Sequence, residues 1–311
     1  MQKSILSALD MSHRDEKVVA YSRVFAKKWQ LGIRIIHVVP TAPHTPPNAR
    51  FLDSHVPING KGGATLKTSP KTKERVERYM MHTARQLGPG TVSSIRYGCP
   101  FDMIMEEIKQ GDYIFIVLGA SDYGHSPLLE GDSCNLCLYN KSPVPVLTIN
   151  KNSPLPNEVD KTVKFLVADD LIDDNHVVRF AAELKSIIKT ATLFHHFHVS
   201  TPRTEYFASL LKLPIEARKR EEAKIKANLA HLDSHLRHQL HERLSSQPHS
   251  AMKTVLCRGH VKEELYRHIR CFRPDFSIFG CHKPLHFNPT YPGRVSFDTV
   301  FALKRPFFIV P

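Results

Sequence analysis

Three histidines on a predicted helix have a spacing that could do chemistry. His231, His235 and His238 recur at i, i+4 and i+7 within the segment from about Arg218 to Leu244, which sets imidazoles on one face as ligands for a divalent metal. Ile225, Leu229, Leu232, Leu236 and Leu240 form an apolar stripe one position over. The same histidine row therefore also reads as the margin of an amphipathic helix, and no carboxylate or cysteine completes a ligand set. His195, His196 and His198 share a strand, with His196 and His198 on one face and His195 on the other. With 19 histidines in all, the charge of the chain rises steeply on acidification. Cys134 and Cys137 make a single CxxC with no second pair nearby, which predicts a structural role. A P-loop and a Gly-x-Ser-x-Gly elbow are both missing, and no nucleophile or paired acid and base is gathered in one place. The pattern predicts binding or regulation rather than catalysis.

The elements that must position these residues come in two copies. His37-Val38 recurs as His198-Val199, Gly98 as Gly259, Gly119 as Gly280 and Pro145 as Pro306, each 161 positions further on. A repeat at constant distance predicts two copies of one unit fused head to tail, residues 1–150 and 162–311, with the Ser-Pro-Leu-Pro stretch of 151–161 as the linker. In the first copy, strands are expected at Ser4 to Leu9, Ile33 to Val39, Val92 to Tyr97, Tyr113 to Leu118 and Val144 to Ile149. Helices are expected at Glu16 to Trp29, Lys71 to Arg85 and Asp102 to Lys109. In the second copy, Val163 to Ala168, Thr192 to Val199, Thr254 to Cys257, Phe276 to Phe279 and Phe307 to Val310 repeat the strands, with helices near Val177 to Lys189, along the histidine segment and from Val261. Thr41 to Ser69, rich in Pro, Gly, Thr and Asn, reads as a long loop. The fold class is α/β: two doubly wound, five-stranded parallel sheets in tandem, with ligands expected outside the carboxyl ends of the strands.

Composition bounds the partners. The chain has 311 residues and a formal net charge of +13, with 18 basic against 13 acidic residues through Asn150 and 25 against 17 after it. Both copies are basic, which suits an anionic ligand or surface. Glu74 and Glu77, and again Glu221 and Glu222, interrupt the basic helices, so a nucleic-acid stripe ranks below a solvated face. No apolar run approaches the roughly 18 to 20 residues of a membrane span. The first residues lack a long apolar core and a small-residue cleavage site, and six cysteines are scattered without a disulfide-scaffold pattern. A cytoplasmic protein is expected.

Taken in order, the strand ending in Asp10, Ile-Ile-His37-Val38-Val39, Tyr97-Gly98-Cys99-Pro100, Ile116-Val117-Leu118-Gly119 and Ser142-Pro143-Val144-Pro145-Val146-Leu147 resemble the universal stress protein family. Ala168-Asp169-Asp170, His198-Val199, Arg258-Gly259, Ile278-Phe279-Gly280 and Arg305-Pro306 look like a more diverged second copy, so nearly the whole chain resembles a tandem universal stress protein. The resemblance implies an adenine-nucleotide-binding fold of the nucleotide alpha-hydrolase type, often dimeric and active in stress survival. It also implies that Asp10 and Asp170 lie near an adenosine pocket and that Val38 and Val199 offer backbone groups to the base. An Asp after a strand is equally an ordinary helix N-cap, and valine in a parallel strand is usually core.

In nucleotide-binding members the loop after the fourth strand reads Gly-x2-Gly-x9-Gly-[Ser/Thr], whose glycines let backbone N–H groups reach phosphates while the hydroxyl adds a hydrogen bond. Here the first copy places Gly119, Asp122, Asp132 and Ser133 on that pattern, with Gly124 and Gly131 one or two places away. A carboxylate about 5 Å from a phosphate charge repels it by roughly 3 kcal/mol at an effective dielectric near 20, a sign that only a bridging divalent cation would reverse. The second copy places Gly280, Lys283, Gly293 and Arg294 there, with Ser296 close behind. Cations beside a helix N-terminus attract an anion, so ATP, another adenine nucleotide or a different small anion is expected in the second copy rather than the first. The alternatives are a scaffold with degenerate loops acting through protein partners, or slow metal-dependent nucleotide hydrolysis. The two copies are expected to pack against each other as an intramolecular pseudo-dimer, because fusion holds them at high effective concentration.

Overall fold

Runs of β-branched and aromatic residues become strands close to where the sequence puts them. The computed structural model describes residues 3–40, 70–120, 134–150, 152–156, 163–169, 176–187, 192–200, 214–217, 219–220, 223–224, 227, 234, 252–259, 261–280 and 305–311. In the first half the order is β1 (Ser4–Leu9), α1 (Asp15–Trp29), β2 (Gly32–Val39), α2 (Pro70–Leu87), β3 (Val92–Tyr97), α3 (Pro100–Gln110), β4 (Tyr113–Gly119), α4 (Cys134–Lys141) and β5 (Val146–Ile149). In the second half it is β6 (Lys164–Asp169), α5 (His176–Ile187), β7 (Thr192–Ser200), β8 (Met252–Gly259), α6 (Val261–Phe272), β9 (Phe276–Gly280) and β10 (Phe307–Val310). Within the expected histidine helix, 215–217, 219–220, 223–224, 227 and 234 are helical.

The ten strands form one sheet in the order β3-β2-β1-β4-β5-β10-β9-β6-β7-β8. Every neighbouring pair is parallel except β5 and β10, which run antiparallel with Thr148 opposite Phe307 and Val146 opposite Ile309. The order reads the same outward from that seam in both directions, with β10, β9, β6, β7 and β8 standing where β5, β4, β1, β2 and β3 stand on the other side.

Helices cover both faces, and each face has its own core. Alternation along β10 sends Phe308 and Val310 to one and Phe307 and Ile309 to the other. On the α1, α2 and α5 face the core is aromatic and crosses the seam. Phe276 of β9 lies 5.9 Å from both Tyr21 and Phe25 of α1, stacks on Phe165 at 5.3 Å, and Phe115 meets Phe308 edge-on at 5.2 Å. The segment after β5 is also fastened to α1: Tyr21 donates its hydroxyl to the Pro154 carbonyl at 2.8 Å and Lys17 Nζ donates to the Ser153 carbonyl at 2.6 Å. Lys3 and Glu183 form an ion pair between the halves.

The other face carries α3, α4 and α6. Sequence patterning does not announce α4, whose apolar residues are too few for a clear period, but Cys137, Leu138 and Tyr139 on it are buried. The CxxC lies on this helix, and burial, followed by the neighbouring Cys137, pushes the Cys134 thiol up to about 12. Cys137 lies in the core of this face and the half-buried Cys134 packs against it. Beneath α3 the fully buried Glu107 carboxylate accepts hydrogen bonds from Arg34 of β2 at 2.5 Å and Arg96 of β3 at 2.8 Å, and from the Tyr113 hydroxyl at 3.2 Å. Burial alone would raise its pKa, but the two guanidinium groups outweigh burial and hold it below the usual range.

Candidate functional site

In an open parallel sheet the crevice for a ligand lies outside the carboxyl ends of neighbouring strands whose connections leave in opposite directions. In the first half that place is between β1 and β4, and three short sequence features build it. After β1 the chain turns through Asp10, Met11 and Ser12, with Met11 at φ 61°. The Ser12 N–H donates to Asp10 Oδ1 at 2.9 Å, an Asx-type turn. Asp10 is thus a turn former here and not the helix N-cap that its position after a strand also allowed, since α1 begins only at Asp15.

The organiser of this turn is Asp15, which sequence analysis passes over. Its buried carboxylate accepts the N–H of Met11 at 2.8 Å, the N–H of Asp10 at 3.2 Å and the hydroxyl of Tyr79 on α2 at 2.6 Å. Burial, together with the nearby Asp10 charge, pushes the Asp15 carboxyl up to about 6 in spite of these donors. Asp10 goes the other way: burial raises its pKa, but Ser12 hydrogen bonds and the Arg14 charge outweigh burial and hold it below the usual carboxylate range. The two neighbouring carboxyls are therefore driven apart, the outer one below the ordinary carboxylate range and the inner one up to about 6.

Arg14 is the second residue missed in the sequence, and it fills the crevice. Its Nη2 donates to Asp10 Oδ2 at 3.0 Å, its Nε to Ser12 Oγ at 3.1 Å and its Nη1 to the Ala120 carbonyl at 2.9 Å, so one guanidinium bridges the end of β1 to the end of β4. A Cβ built on Gly119 would lie 3.2 Å from Arg14 Cβ and 3.7 Å from Val18 Cγ2. Gly119 thus has a packing reason of its own: it lets α1 and the residue before it approach the sheet. The Gly119 carbonyl accepts from Asn135 Nδ2 of α4 at 2.8 Å, which ties the start of α4 to the end of β4. An acidic first turn, Asp15-Glu16, behind an Asp-x-Ser turn was the only sequence signal for this arrangement.

The remaining first-half candidates surround the same place. His37 lies on β2, buried, with Nδ1 2.8 Å from the Leu9 carbonyl, so it ties β2 to β1 at the crevice floor. Val38 is 8% exposed, and its side chain belongs to the α3 and α4 core. Gly98 takes φ 146°, its N–H donates to the Val39 carbonyl at 3.1 Å, and Pro100 then opens α3. The structure thus brings Asp10, Val38 and Gly119 to one end of the sheet. Ser133, with Asp122 and Asp132, falls outside the described residues.

In the second half Gly280 ends β9 as Gly119 ends β4. A Cβ there would lie 3.0 Å from Val177 Cγ2 and 3.8 Å from His176 Nε2 at the start of α5. Val199 lies in β7 opposite Arg258. Asp170, Lys283, Gly293, Arg294 and Ser296, and the proposed metal set His231, His235 and His238, lie outside the described residues. Among the described residues no three His, Cys, Asp or Glu side chains are grouped to hold a metal ion. No helix among them is long and apolar enough to cross a membrane.

Comparison with solved structures gives the same architecture over the whole length. A universal stress protein from Archaeoglobus fulgidus superposes with TM-score 0.61 at 16% identity, covering 99% of this chain and 95% of its own. A putative universal stress protein from Pseudomonas aeruginosa gives TM-score 0.56 at 13% identity over 99% and 93%. A protein of unknown function from Pseudomonas aeruginosa gives 0.55 at 13% identity over 99% and 92%. At such identities these likenesses speak for the fold. Comparison with curated proteins returns no match. The universal stress protein family matches residues 1–150 by sequence. Together with the β1, β4 and Gly119 geometry, that match makes residues 1–150 a universal stress protein domain.

Proposed function

We propose that the chain is a tandem universal stress protein, with residues 1–150 as the first domain, 151–161 as the linker and 162–311 as the second domain. The two halves pair through β5 and β10 as an intramolecular pseudo-dimer. It works in the cytoplasm as a non-catalytic stress-response module, and its ligand, ATP, another adenine nucleotide or a different small anion, binds in the second half. The observation that carries this reading is the side chain of Arg14, which bridges Asp10 and the Ala120 carbonyl across the first crevice. A ligand would have to displace a cation already paired within the chain, and the acidic Asp122 and Asp132 stand where phosphate-binding glycines would. Among the described residues Val177 and His176, and no arginine, lie over Gly280, and the sequence puts Lys283 and Arg294 on the corresponding loop.

Titration of ATP into the purified protein by calorimetry, with and without magnesium, tests the reading. Binding that is lost in Lys283→Glu and unchanged in Asp132→Gly is the expected result. Absence of binding in the natural sequence with a gain in Asp132→Gly would overturn it. That result would favour the second reading, a scaffold whose first pocket has been closed from within, for which the Arg14 bridge is the specific observation.

A further inference from the structure

The two ends of the ten-stranded sheet are not alike. Among the described residues β3 pairs only with β2 and β8 only with β7, so each presents a row of open backbone groups. Proteins commonly guard such an edge with lysines, prolines or bulges. β8 carries Lys253 and Arg258. β3, with the sequence Val-Ser-Ser-Ile-Arg-Tyr, has one charge, and Arg96 is turned inward to Glu107 and Gln110. Val92 and Tyr97 on it are 50% and 41% exposed.

Alternation gives the two faces of β3 different chemistry. Ser93 and Ile95 point to the α2 side, where they line an open trough of about 670 Å³ with Met80, Met81, Ala84 and Pro89, the exposed Met81 forming its lip. Arg85 and Glu77 stand at its rim. Arg96 points to the α3 side, and its side chain keeps 38% of its surface in solvent while bound to Glu107. On that α3 side Arg34 of β2, 37% exposed, joins Arg96 over the single buried Glu107, so the outward charge is basic, while α2 brings further cations to the rim of the trough. An edge that is apolar on one face and basic on the other complements a strand that alternates apolar and acidic side chains. Methionine at the lip suits such a groove, because its flexible thioether adapts to different apolar side chains.

We propose that β3 is a docking edge for an extended segment of a partner protein with alternating apolar and acidic residues. The segment adds an eleventh strand beside β3, sets its apolar side chains into the Met81 and Ile95 trough and its carboxylates toward Arg96. A second copy of the chain is a poor occupant, since pairing β3 with β3 would face two basic α2 helices against each other on a chain of net charge +13. The assignment does not depend on where a nucleotide binds.

The test is fluorescence anisotropy of the full chain with a fluorescein-labelled peptide of about eight residues that alternates leucine and aspartate. Val92→Glu, on the α3 face with Arg96, and Met81→Lys, at the lip of the trough, lie at exposed positions, so both fold, and circular dichroism confirms it. Binding at least about tenfold weaker in each variant is expected, by repulsion of the peptide carboxylates in the first and loss of the apolar lip in the second. The same loss is expected for a peptide N-methylated at alternate amides and for one alternating leucine and lysine. No binding of the acidic peptide, or binding indifferent to Val92→Glu and to N-methylation, overturns the proposal. Sedimentation that finds a dimer dissolved by Val92→Glu, with no binding of peptide, overturns it in favour of a second copy.

Discussion

Gly119 and Gly280 end equivalent strands, and each lies beneath the start of the first helix of its half, yet different side chains press on them. Over Gly119 it is Arg14, a long cation tied to three oxygens, with Val18 behind it. Over Gly280 it is the short Val177, whose Cγ2 would lie 3.0 Å from an added Cβ, with the His176 ring further off. A glycine at this position therefore follows from helix and strand approach in both halves and does not by itself report a phosphate site. What distinguishes the halves is the group laid across the crevice, and one half has laid its own guanidinium there.

The largest expected effect tests how far the halves are separate at all. Phe276 of the second half packs into the α1 aromatics of the first, so Phe276→Ala should destabilise the whole protein by about 3–5 kcal/mol in denaturant titration. Loss in a single transition of both halves is expected, whereas two separate transitions would show that the seam does not couple them. Next, Gly280→Ala should cost about 1–3 kcal/mol, because its new methyl meets Val177 within a regular helix. Gly119→Ala should cost less, since its nearest neighbour, Arg14 Cβ, would lie at 3.2 Å and stands just before α1. Equal losses by thermal melting would contradict the difference drawn between the two sites.

Asp15 exists only in the first half's turn, where α5 has His176 at its start, so it gives that half its own acid response. The folded carboxyl titrates near 6 against an ordinary value of 3.8, so the folded state holds this proton more tightly than the unfolded one. Its contribution is fully present below about pH 4 and is lost as pH rises through about 6. In Asp15→Asn that segment of the stability profile should become flatter, measured by urea titration at successive pH values. The facing groups are Asp10, Glu16, Tyr79, His13, Arg23 and His82, and the same flattening in a His13→Gln, His82→Gln background assigns it to Asp15. The smallest effect on stability should come from Arg14→Ala, about 0.5–1 kcal/mol for a partly exposed pair with Asp10. Combined with Asp122→Gly and Asp132→Gly, which remove the carboxylates that would repel a phosphate, the same variant should sharpen the comparison most for function, by uncovering anion binding in the first crevice that calorimetry detects.

Local pattern carried far in this chain. The runs Ser4 to Leu9 and Phe307 to Val310 end where the strands end, because a buried strand needs a mostly apolar run, whereas the half-exposed edge run Val92 to Tyr97 is bounded by Gly90 and Gly98. Of the α1 residues whose spacing turns them inward, Val18, Tyr21 and Phe25 are buried, and Val19 and Val24 are half-buried. Asp10 and Gly119 were legible as the residues that close β1 and β4, from their place at the ends of apolar runs. Arg14, Asp15 and Asn135 were not, because each acts through a group far along the chain: the Ala120 carbonyl, the Tyr79 hydroxyl and the Gly119 carbonyl. α4 was missed because eight residues with a few apolar positions hold no period that distinguishes helix from loop.

The sequence by itself determined the α/β alternation, the doubling at a constant interval and the basic balance of both halves, since these follow from residue type and order. Only the tertiary structure decided that β5 and β10 would meet antiparallel and fuse ten strands into one sheet. Likewise it alone laid Arg14 across the first crevice and left β3 the less guarded edge. Those outcomes depend on which backbone groups and side chains find partners more than a hundred positions away, and no local window of sequence contains both partners.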